Sequence, residues 1–177
     1  MQLLETDRLL LRPFAETDAA DLYEYARDPR VGPPAGWPPH GSVGESREII
    51  RTVFAAPHTF AVVDKSSGRV IGSAGFTGET RPEFPAPNDE LGYALSADFW
   101  GKGLMPEAVE ALLRYAFRDL ELACVWCSHY ADNPRSRRVI EKSGFSFQFE
   151  DMILDGPTGA EKPARFYAMT RGEWEAR

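Results

Sequence analysis

One segment, Glu90 to Ala108, constrains the fold of this chain more than any other, because its periodicity changes once, at a glycine-rich turn. In residues 90–95, bulky and small side chains alternate with the period of two that is typical of a strand with two unlike faces. From residue 104 onward, apolar residues recur at helical spacing. The segment therefore predicts a strand, a tight turn and a helix that begins near Leu104.

The two faces of the predicted strand differ in bulk. One face carries three large side chains, Leu91, Tyr93 and Leu95. On the other face, Gly92 and Ala94 leave room for a slender ligand to lie against the backbone, and Glu90 places a carboxylate at the far end. The small face is therefore the predicted binding face.

The turn Trp100–Met105 leads directly into the predicted helix. The first turn of a helix has N–H groups without intrahelical partners and the positive end of the helix dipole, so it attracts phosphate. Two common phosphate motifs are absent, and Pro106 stands where a dinucleotide fingerprint has its third glycine. A Gly-x-Gly before a helix also fits a plain tight turn, so the turn alone leaves both interpretations open.

A second motif, Asp132 to Phe145, reads Asp-Asn-Pro-Arg-Ser-Arg-Arg-Val-Ile-Glu-Lys-Ser-Gly-Phe. Together with residues 90–108 it resembles the Gcn5-related N-acetyltransferase (GNAT) superfamily, in particular the branch that acetylates the N-terminal alanine or serine of ribosomal proteins. The resemblance extends to residues 5–12 and 170–174, and so covers nearly the whole chain. The spacing of the second motif is more specific than that of the glycine turn.

Length and composition bound the function classes. With 177 residues, of which 43% are hydrophobic, the chain is predicted to form one domain, residues 1–177, with a single sizeable core. A net charge of −7 argues against nucleic-acid binding and is compatible with an amine substrate. The sequence contains neither an apolar run of membrane-spanning length nor a signal-peptide pattern, so we expect a cytoplasmic protein without membrane contact.

The remaining segments alternate between strand and helix patterns. The predicted strands are residues 9–12, 60–64, 70–76, 123–130, 145–149 and 165–170, and the predicted helices follow Thr17 and cover 42–53 and 136–142. Two proline-rich segments, 32–40 and 77–89, are predicted to be loops. The fold class is therefore α/β (α+β), with a mixed sheet and helices on both faces. The resemblance implies a mostly antiparallel sheet with a central splay between two strands.

Cys124 and Cys127 form a C-x-x-C, which a metal or redox site could also produce. They lie on a predicted strand, where residues three apart point to opposite faces. We therefore interpret both as structural residues and predict no metal site.

The resemblance implies coenzyme A as the cofactor, delivered as acetyl-CoA. Its pyrophosphate would be bound by the backbone amides of Gly101, Lys102, Gly103, Leu104 and Met105. The chain departs from the family pattern at Met105, where glycine or alanine is usual, and at Pro106, which removes one amide. Lys102 either adds charge toward the phosphates or is simply exposed.

The resemblance also implies roles for Asn133 and Ser136, which follow the strand that should splay from the Glu90 strand. Asn133 would bind an amide of the pantetheine arm, or cap the helix that Pro134 begins. Ser136 would stabilise the leaving thiolate by a hydrogen bond, or be an ordinary first-turn residue. The amides of Ala94 and Leu95 would stabilise the oxyanion.

Four residues are candidates for the acceptor side. Glu90 is the candidate general base, with a solvated strand-end acid as the alternative, and His129 is a second candidate that a structural histidine also explains. Trp37, in the first proline-rich segment, offers an aromatic wall for an amine or a lid on the core. Tyr93 completes this set.

These inferences predict an acetyl-CoA-dependent N-acetyltransferase with catalytic residues Glu90 and Ser136. A primary amine, foremost the α-amine of a protein or peptide, would attack the thioester directly. Acetylation of a small amine (a polyamine, amino acid or antibiotic) and a non-catalytic acyl-CoA-binding module are the alternatives. The sequence leaves both the acceptor and the oligomeric state open, with a homodimer as one option.

Overall fold

Eight strands form one sheet in the computed structural model, which describes residues 2–177. They are β1 (Leu4–Glu5), β2 (Leu9–Arg12), β3 (Thr59–Asp64), β4 (Val70–Phe76), β5 (Asn88–Leu95), β6 (Cys124–Tyr130), β7 (Ser146–Leu154) and β8 (Glu161–Thr170). Their spatial order is β1-β2-β3-β4-β5-β6-β8-β7. Within the described residues, β5 and β6 are the one parallel pair. The prediction of a mixed, mostly antiparallel sheet is confirmed.

The helices cover both faces of this sheet, as predicted. Within residues 2–177 they are α1 (Ala19–Ala26), α2 (Val43–Thr52), α3 (Leu104–Arg118), α4 (Pro134–Lys142) and α5 (Arg171–Glu175). Alternating residues of β3 divide between two cores: Val62 packs in the cluster that contains α3, whereas Ala61 and Val63 pack in the cluster that contains α1. The period of two in the sequence therefore separates the two helical layers.

Local sequence signals place the helix starts. Ser42 accepts a hydrogen bond from the Glu45 N–H and begins α2. At α4, Asn133 caps the helix and Pro134 occupies the first helical position, so the helix begins two residues before the predicted Ser136. In the proline-rich segment 32–40, one 3₁₀ turn, Pro33–Ala35, interrupts the predicted loop.

The last two strands are longer than their sequence pattern indicated. β7 continues to Leu154 rather than ending at residue 149, and β8 begins at Glu161 rather than at residue 165. A bulge between Phe147 and Phe149 breaks the alternation in β7. Pro163 argued against a strand at the start of β8, because proline cannot donate a hydrogen bond to a sheet. The two strands form one hairpin, and their pairing continues past these local irregularities from Ser146–Ala168 to Leu154–Glu161.

The centre of the sheet is split. β5 and β6 pair only through Asn88–Cys124, Asp89–Val125 and Glu90–Trp126, at their N-terminal ends. Beyond Glu90 the two strands diverge, while β5 stays paired with β4 as far as Leu95. The predicted splay is therefore present, and Glu90 lies where it begins.

Cys124 and Cys127 pack in two different cores, on opposite faces of the sheet. Burial raises the pKa of both thiols above the ordinary range. In the part of the chain that the structure describes, no cluster of three or more His, Cys, Asp or Glu side chains is placed to hold a metal ion. Residues 2–177 also contain no helix with the length and apolar character needed to cross a membrane.

Candidate active site

A cleft of about 780 Å³ opens where β5 and β6 separate. Its wall brings together most of the predicted site residues: Glu90, Tyr93, Ala94, Leu95, Gly101, Gly103, Leu104, Met105, His129, Asn133 and Ser136. Lys102 and Trp37 are the two predicted site residues that lie outside the wall. A cleft of this size is large enough to enclose most of a cofactor arm.

The glycine turn presents unpaired backbone amides. Gly101 and Gly103 have φ values of 75° and 74°, a conformation that glycine adopts without strain. Within residues 2–177, the N–H groups of residues 101–105 donate no hydrogen bond to a backbone or side-chain acceptor. Because they lie at the start of α3, the turn has the geometry of an anion site.

The two departures from the family pattern leave these amides free. The Met105 side chain is 3% exposed and packs in the core with Leu104, so it points away from the turn. Pro106 is the third residue of α3, where an N–H would have no intrahelical partner in any case. Relative to the family pattern, the turn therefore lacks one N–H donor, at Pro106, and Met105 does not obstruct it.

Four cationic side chains line the cleft beside this turn, and the sequence analysis did not single them out: Arg30, Arg135, Arg138 and Lys142. The Arg135 guanidinium lies 4.4 Å from the centroid of the Trp100 ring, and that of Arg30 lies 5.8 Å from it. In contrast, the Lys102 ammonium lies 4.7 Å from the Phe99 ring centroid, outside the cleft wall. For Arg135, Arg138 and Lys142, the signal in the sequence was the basic content of the second motif; Arg30 lies outside both motifs.

The register of β5 shows which amides face the gap. The Ser96 N–H donates to the Ile71 carbonyl at 2.8 Å, and the Thr77 N–H donates to the Glu90 carbonyl at 3.0 Å. Backbone N–H and C=O groups alternate in direction along a strand, so the N–H of Ala94 points toward β4 and the N–H of Leu95 points into the gap. The Trp100 indole N–H donates to the Leu95 carbonyl at 2.9 Å, so the Leu95 carbonyl also points away from β4. Of the two amides predicted for the oxyanion, only that of Leu95 faces the cleft.

The Glu90 carboxylate is held by two hydroxyl groups. Ser128 donates to Oε1 at 3.2 Å and Thr77 donates to Oε2 at 3.3 Å. Burial raises the pKa of Glu90 above its usual range, and these two hydrogen bonds oppose part of that rise. Sequence reasoning missed both hydroxyls, because neither position carries a recognisable motif. A half-buried carboxylate with a raised pKa is suited to accept a proton near neutral pH.

His129 lies on the other face of β6 from Ser128, since adjacent strand residues point in opposite directions. Its Nδ1 lies 2.6 Å from the Tyr130 carbonyl oxygen and therefore carries the proton. The ring stacks on Tyr167 with a centroid distance of 5.6 Å. Burial lowers the pKa of His129 below the ordinary value, so the imidazole is neutral. His129 and Glu90 therefore lie on opposite faces of the sheet, although both line the cleft.

Asn133 engages its side-chain amide within the protein. Its Oδ1 accepts from the Ser136 N–H at 3.1 Å and caps α4, and its Nδ2 donates to the Pro34 carbonyl at 3.0 Å. Ser136 approaches the strand opposite: its Oγ lies 2.9 Å from the Tyr93 hydroxyl oxygen. Tyr93 therefore faces α4 and Ser136, on the opposite side of β5 from Glu90.

Trp37 packs on the α1 and α2 side of the sheet as a half-buried member of that core. A Cβ at Gly32 would lie 2.6 Å from its ring, so the segment closes tightly around it. Between the two roles considered for Trp37, this position is that of a lid on the core. The residues of its loop that do line the cleft are Pro34 and Ala35.

Comparisons with known proteins identify the family and the fold. The family model for the acetyltransferase (GNAT) domain matches residues 8–146. An uncharacterised N-acetyltransferase of Bacillus licheniformis is 31% identical over 160 residues, which cover 88% of this chain and 87% of that protein. The ribosomal protein uS5 alanine N-acetyltransferase of Escherichia coli is 30% identical over 169 residues, covering 86% and 84%.

Solved structures share the fold. An acetyltransferase of the GNAT family from Bacillus anthracis superposes with a TM-score of 0.82 at 24% identity, covering 97% of this chain and all 100% of the other. A ribosomal-protein-S5-alanine acetyltransferase from Vibrio fischeri gives 0.77 at 22% identity, with 98% and 99% coverage. With a family model that spans most of the chain and two curated relatives at 30% identity or above, the protein belongs to the GNAT family and is an N-acetyltransferase.

Proposed function

We propose that this protein transfers the acetyl group of acetyl-CoA to a primary amine, and that the preferred acceptor is the α-amine of a protein or peptide. The observation that carries the proposal is the arrangement of the cleft. Unpaired amides and cationic side chains lie at one end, the divergent strands β5 and β6 lie between, and the half-buried Glu90 carboxylate lies at the other end.

The residues present fit a coenzyme A thioester. The free amides of residues 101–105 would bind the pyrophosphate, with Arg135 and Arg138 supplying further positive charge. The gap-facing backbone groups of β5 offer strand-like hydrogen bonds to the pantetheine amides. When bound, acetyl-CoA supplies the acetyl group on a thiol leaving group. The Leu95 amide would stabilise the oxyanion and Ser136 the departing sulfur.

Glu90 would accept the proton that the amine must lose, directly or through water. An α-amine with a pKa near 7.8 costs about 1 kcal/mol to deprotonate at neutral pH, whereas a lysine near 10.4 costs about 4.6 kcal/mol. The raised pKa of Glu90 brings this carboxyl closer to neutral pH, which improves it as a base. A single half-buried carboxylate is therefore better matched to an α-amine than to lysine.

Two further facts support an N-terminal acceptor. The Escherichia coli relative at 30% identity is named for the alanine of ribosomal protein uS5, and it aligns over most of both chains. The net charge of −7 favours a cationic acceptor. A single domain over residues 1–177, a cytoplasmic location and a homodimer stay predictions.

The test is thiol release from acetyl-CoA with three acceptor panels: peptides with free N-termini, N-terminally blocked peptides that contain lysine, and small amines. We expect turnover with free N-termini, foremost alanine and serine, and little with blocked peptides. Turnover confined to small amines would replace the acceptor class with the alternative one. Tight acetyl-CoA binding without turnover on any panel would favour a non-catalytic module.

A further inference from the structure

The Tyr93 hydroxyl is a polar group of the cleft to which the proposed reaction assigns no role. Tyr93 lies on β5, and its Oη approaches two atoms of Ser136 on α4: Oγ at 2.9 Å and the backbone carbonyl oxygen at 3.1 Å. The sequence placed Tyr93 on the acceptor side. In the structure its hydroxyl instead contacts the residue proposed to stabilise the leaving group.

Proton counting limits this pair to two arrangements, because each hydroxyl has one proton. In the first, Tyr93 donates to the Ser136 carbonyl and Ser136 donates to Tyr93 Oη, so the serine hydroxyl proton is already engaged. In the second, Tyr93 donates to Ser136 Oγ, and the serine proton is free for another acceptor. The distances permit both arrangements. An anion placed beside Ser136 selects the second.

Tyr93 is suited to be a permanent donor. Burial raises the pKa of its hydroxyl above the ordinary value, so it keeps its proton through the range in which an acetyltransferase works. A hydroxyl that accepts one hydrogen bond also donates a stronger one, since the two bonds polarise each other. Tyr93 would therefore strengthen Ser136 as a donor without contacting substrate.

We propose that Tyr93 is a positioning residue. Its hydroxyl donates to Ser136 Oγ, and this leaves the Ser136 hydroxyl proton free to point at the thiolate of coenzyme A. The inference rests on the proposed function. In the step concerned, the C–N bond forms and the C–S bond breaks. The attacking amine is neutral, because Glu90 has already passed the ammonium proton to solvent water. The electron pair of the C–S bond stays on sulfur, and the second proton, which nitrogen loses as the amide forms, goes to Glu90. Ser136 and Tyr93 stabilise the sulfur by hydrogen bonding and transfer no proton to it.

The first test needs no acceptor. Calorimetry compares the affinity for coenzyme A with that for desulfo-coenzyme A, which lacks only the sulfur, from pH 6 to pH 9.5. Because a thiol with a pKa of about 8.5 ionises in this range, stabilisation of the thiolate appears as a growing preference for coenzyme A as pH rises. We expect Tyr93→Phe to reduce this preference about tenfold at the alkaline end, to the level of Ser136→Ala. An unchanged preference in a folded Tyr93→Phe protein would overturn the proposal.

The second test uses turnover and a double-mutant cycle. Tyr93→Phe should lower kcat about tenfold and change the KM for acetyl-CoA less than twofold, and it should have no further effect in a Ser136→Ala background. Equal losses in both backgrounds would show that Tyr93 acts through packing and not through Ser136. Tyr115→Phe is the matched control, since it removes a hydroxyl that lies 2.9 Å from His58 Nδ1, outside the cleft wall. Absence of turnover in the parent would refute the proposed function, while the calorimetric test of Tyr93 would still decide the pairing.

Discussion

At the glycine turn, the cleft presents backbone N–H groups, whereas at Glu90 it presents side chains. The turn is one continuous segment, residues 101–105, whose amides are free because a helix begins there. The Glu90 end is assembled from three segments: Glu90 on β5, Ser128 on β6, and Thr77 just beyond β4. The comparison shows that one end depends on backbone conformation and the other on the register between strands.

The two ends also differ in charge. Four cationic side chains line the cleft, two of which (Arg30 and Arg135) lie beside Trp100 at the turn, while the other end holds a half-buried carboxylate with a raised pKa. This polarity suits a phosphate-bearing donor at one end and an amine at the other. Substitutions at each end should therefore affect different kinetic constants.

The largest effect is expected at the side-chain end. Glu90→Gln keeps the shape of the side chain and removes its basicity, so kcat with a peptide α-amine should fall about 100-fold at neutral pH. The loss should shrink above pH 8, where an α-amine is largely neutral without help. A pH–rate profile of parent and variant from pH 6 to pH 9 measures both effects.

Glu161→Gln is the control for Glu90→Gln, because Glu161 is an exposed carboxylate at the start of β8 and lies outside the cleft wall. It should behave as the parent. If the Glu90→Gln and parent profiles coincide at every pH, Glu90 is a structural acid and the proton goes elsewhere.

At the backbone end, Gly103→Glu should weaken coenzyme A binding about 30-fold, while acceptor KM stays near the parent value. The substitution places a negative charge at the predicted phosphate site and forces a φ of 74° on a residue with a side chain. Gly68→Glu imposes the same charge and a φ of 70° on the β3–β4 turn, remote from the cleft. Calorimetry should show that this control binds coenzyme A with the affinity of the parent. An equal loss of coenzyme A affinity in both variants would contradict a phosphate site at residues 101–105.

A smaller effect is expected when one hydroxyl is removed from Glu90. Ser128→Ala deletes a hydrogen bond that lowers the Glu90 pKa, so that pKa should rise further. A base with a higher pKa becomes protonated at higher pH, and the acidic limb of the kcat/KM profile should therefore move toward higher pH. We expect a loss of about fivefold at pH 6 and almost none at pH 8.5. A shift toward lower pH would contradict the assigned direction of this hydrogen bond.

The smallest effect concerns the cationic rim. Arg135→Met should raise the KM for acetyl-CoA about threefold and leave kcat unchanged, because a partly screened charge beside phosphate contributes little. Arg137→Met is its control on the same helix, since Arg137 pairs with Glu141 at 2.7 Å and lies outside the cleft wall. The difference between the two variants should diminish in high salt. Identical KM values for both would assign phosphate binding to the backbone alone.

The sequence by itself determined the elements of the cofactor end. The alternation that stops at Leu95 marked the end of β5, and the helical spacing that follows Gly103 marked the start of α3. Asn133–Pro134 carried the cap and first residue of α4. These features depend on a few consecutive residues, because glycine, proline and capping side chains act on the backbone beside them. The mixed sheet followed from the order of the strands and from the family resemblance.

Only the tertiary structure decided which side chains meet. Ser128 is 38 residues from Glu90 and Ser136 is 43 residues from Tyr93, so no local pattern records either contact. Strand register determines that Ser128 faces Glu90 while His129 faces the opposite core, and a shift of one residue would exchange them. Register also turns the Leu95 amide toward the gap and the Ala94 amide toward β4. Contacts of this kind arise from packing across the whole sheet, which is why the acceptor end could be predicted only as single residues and never as an assembly.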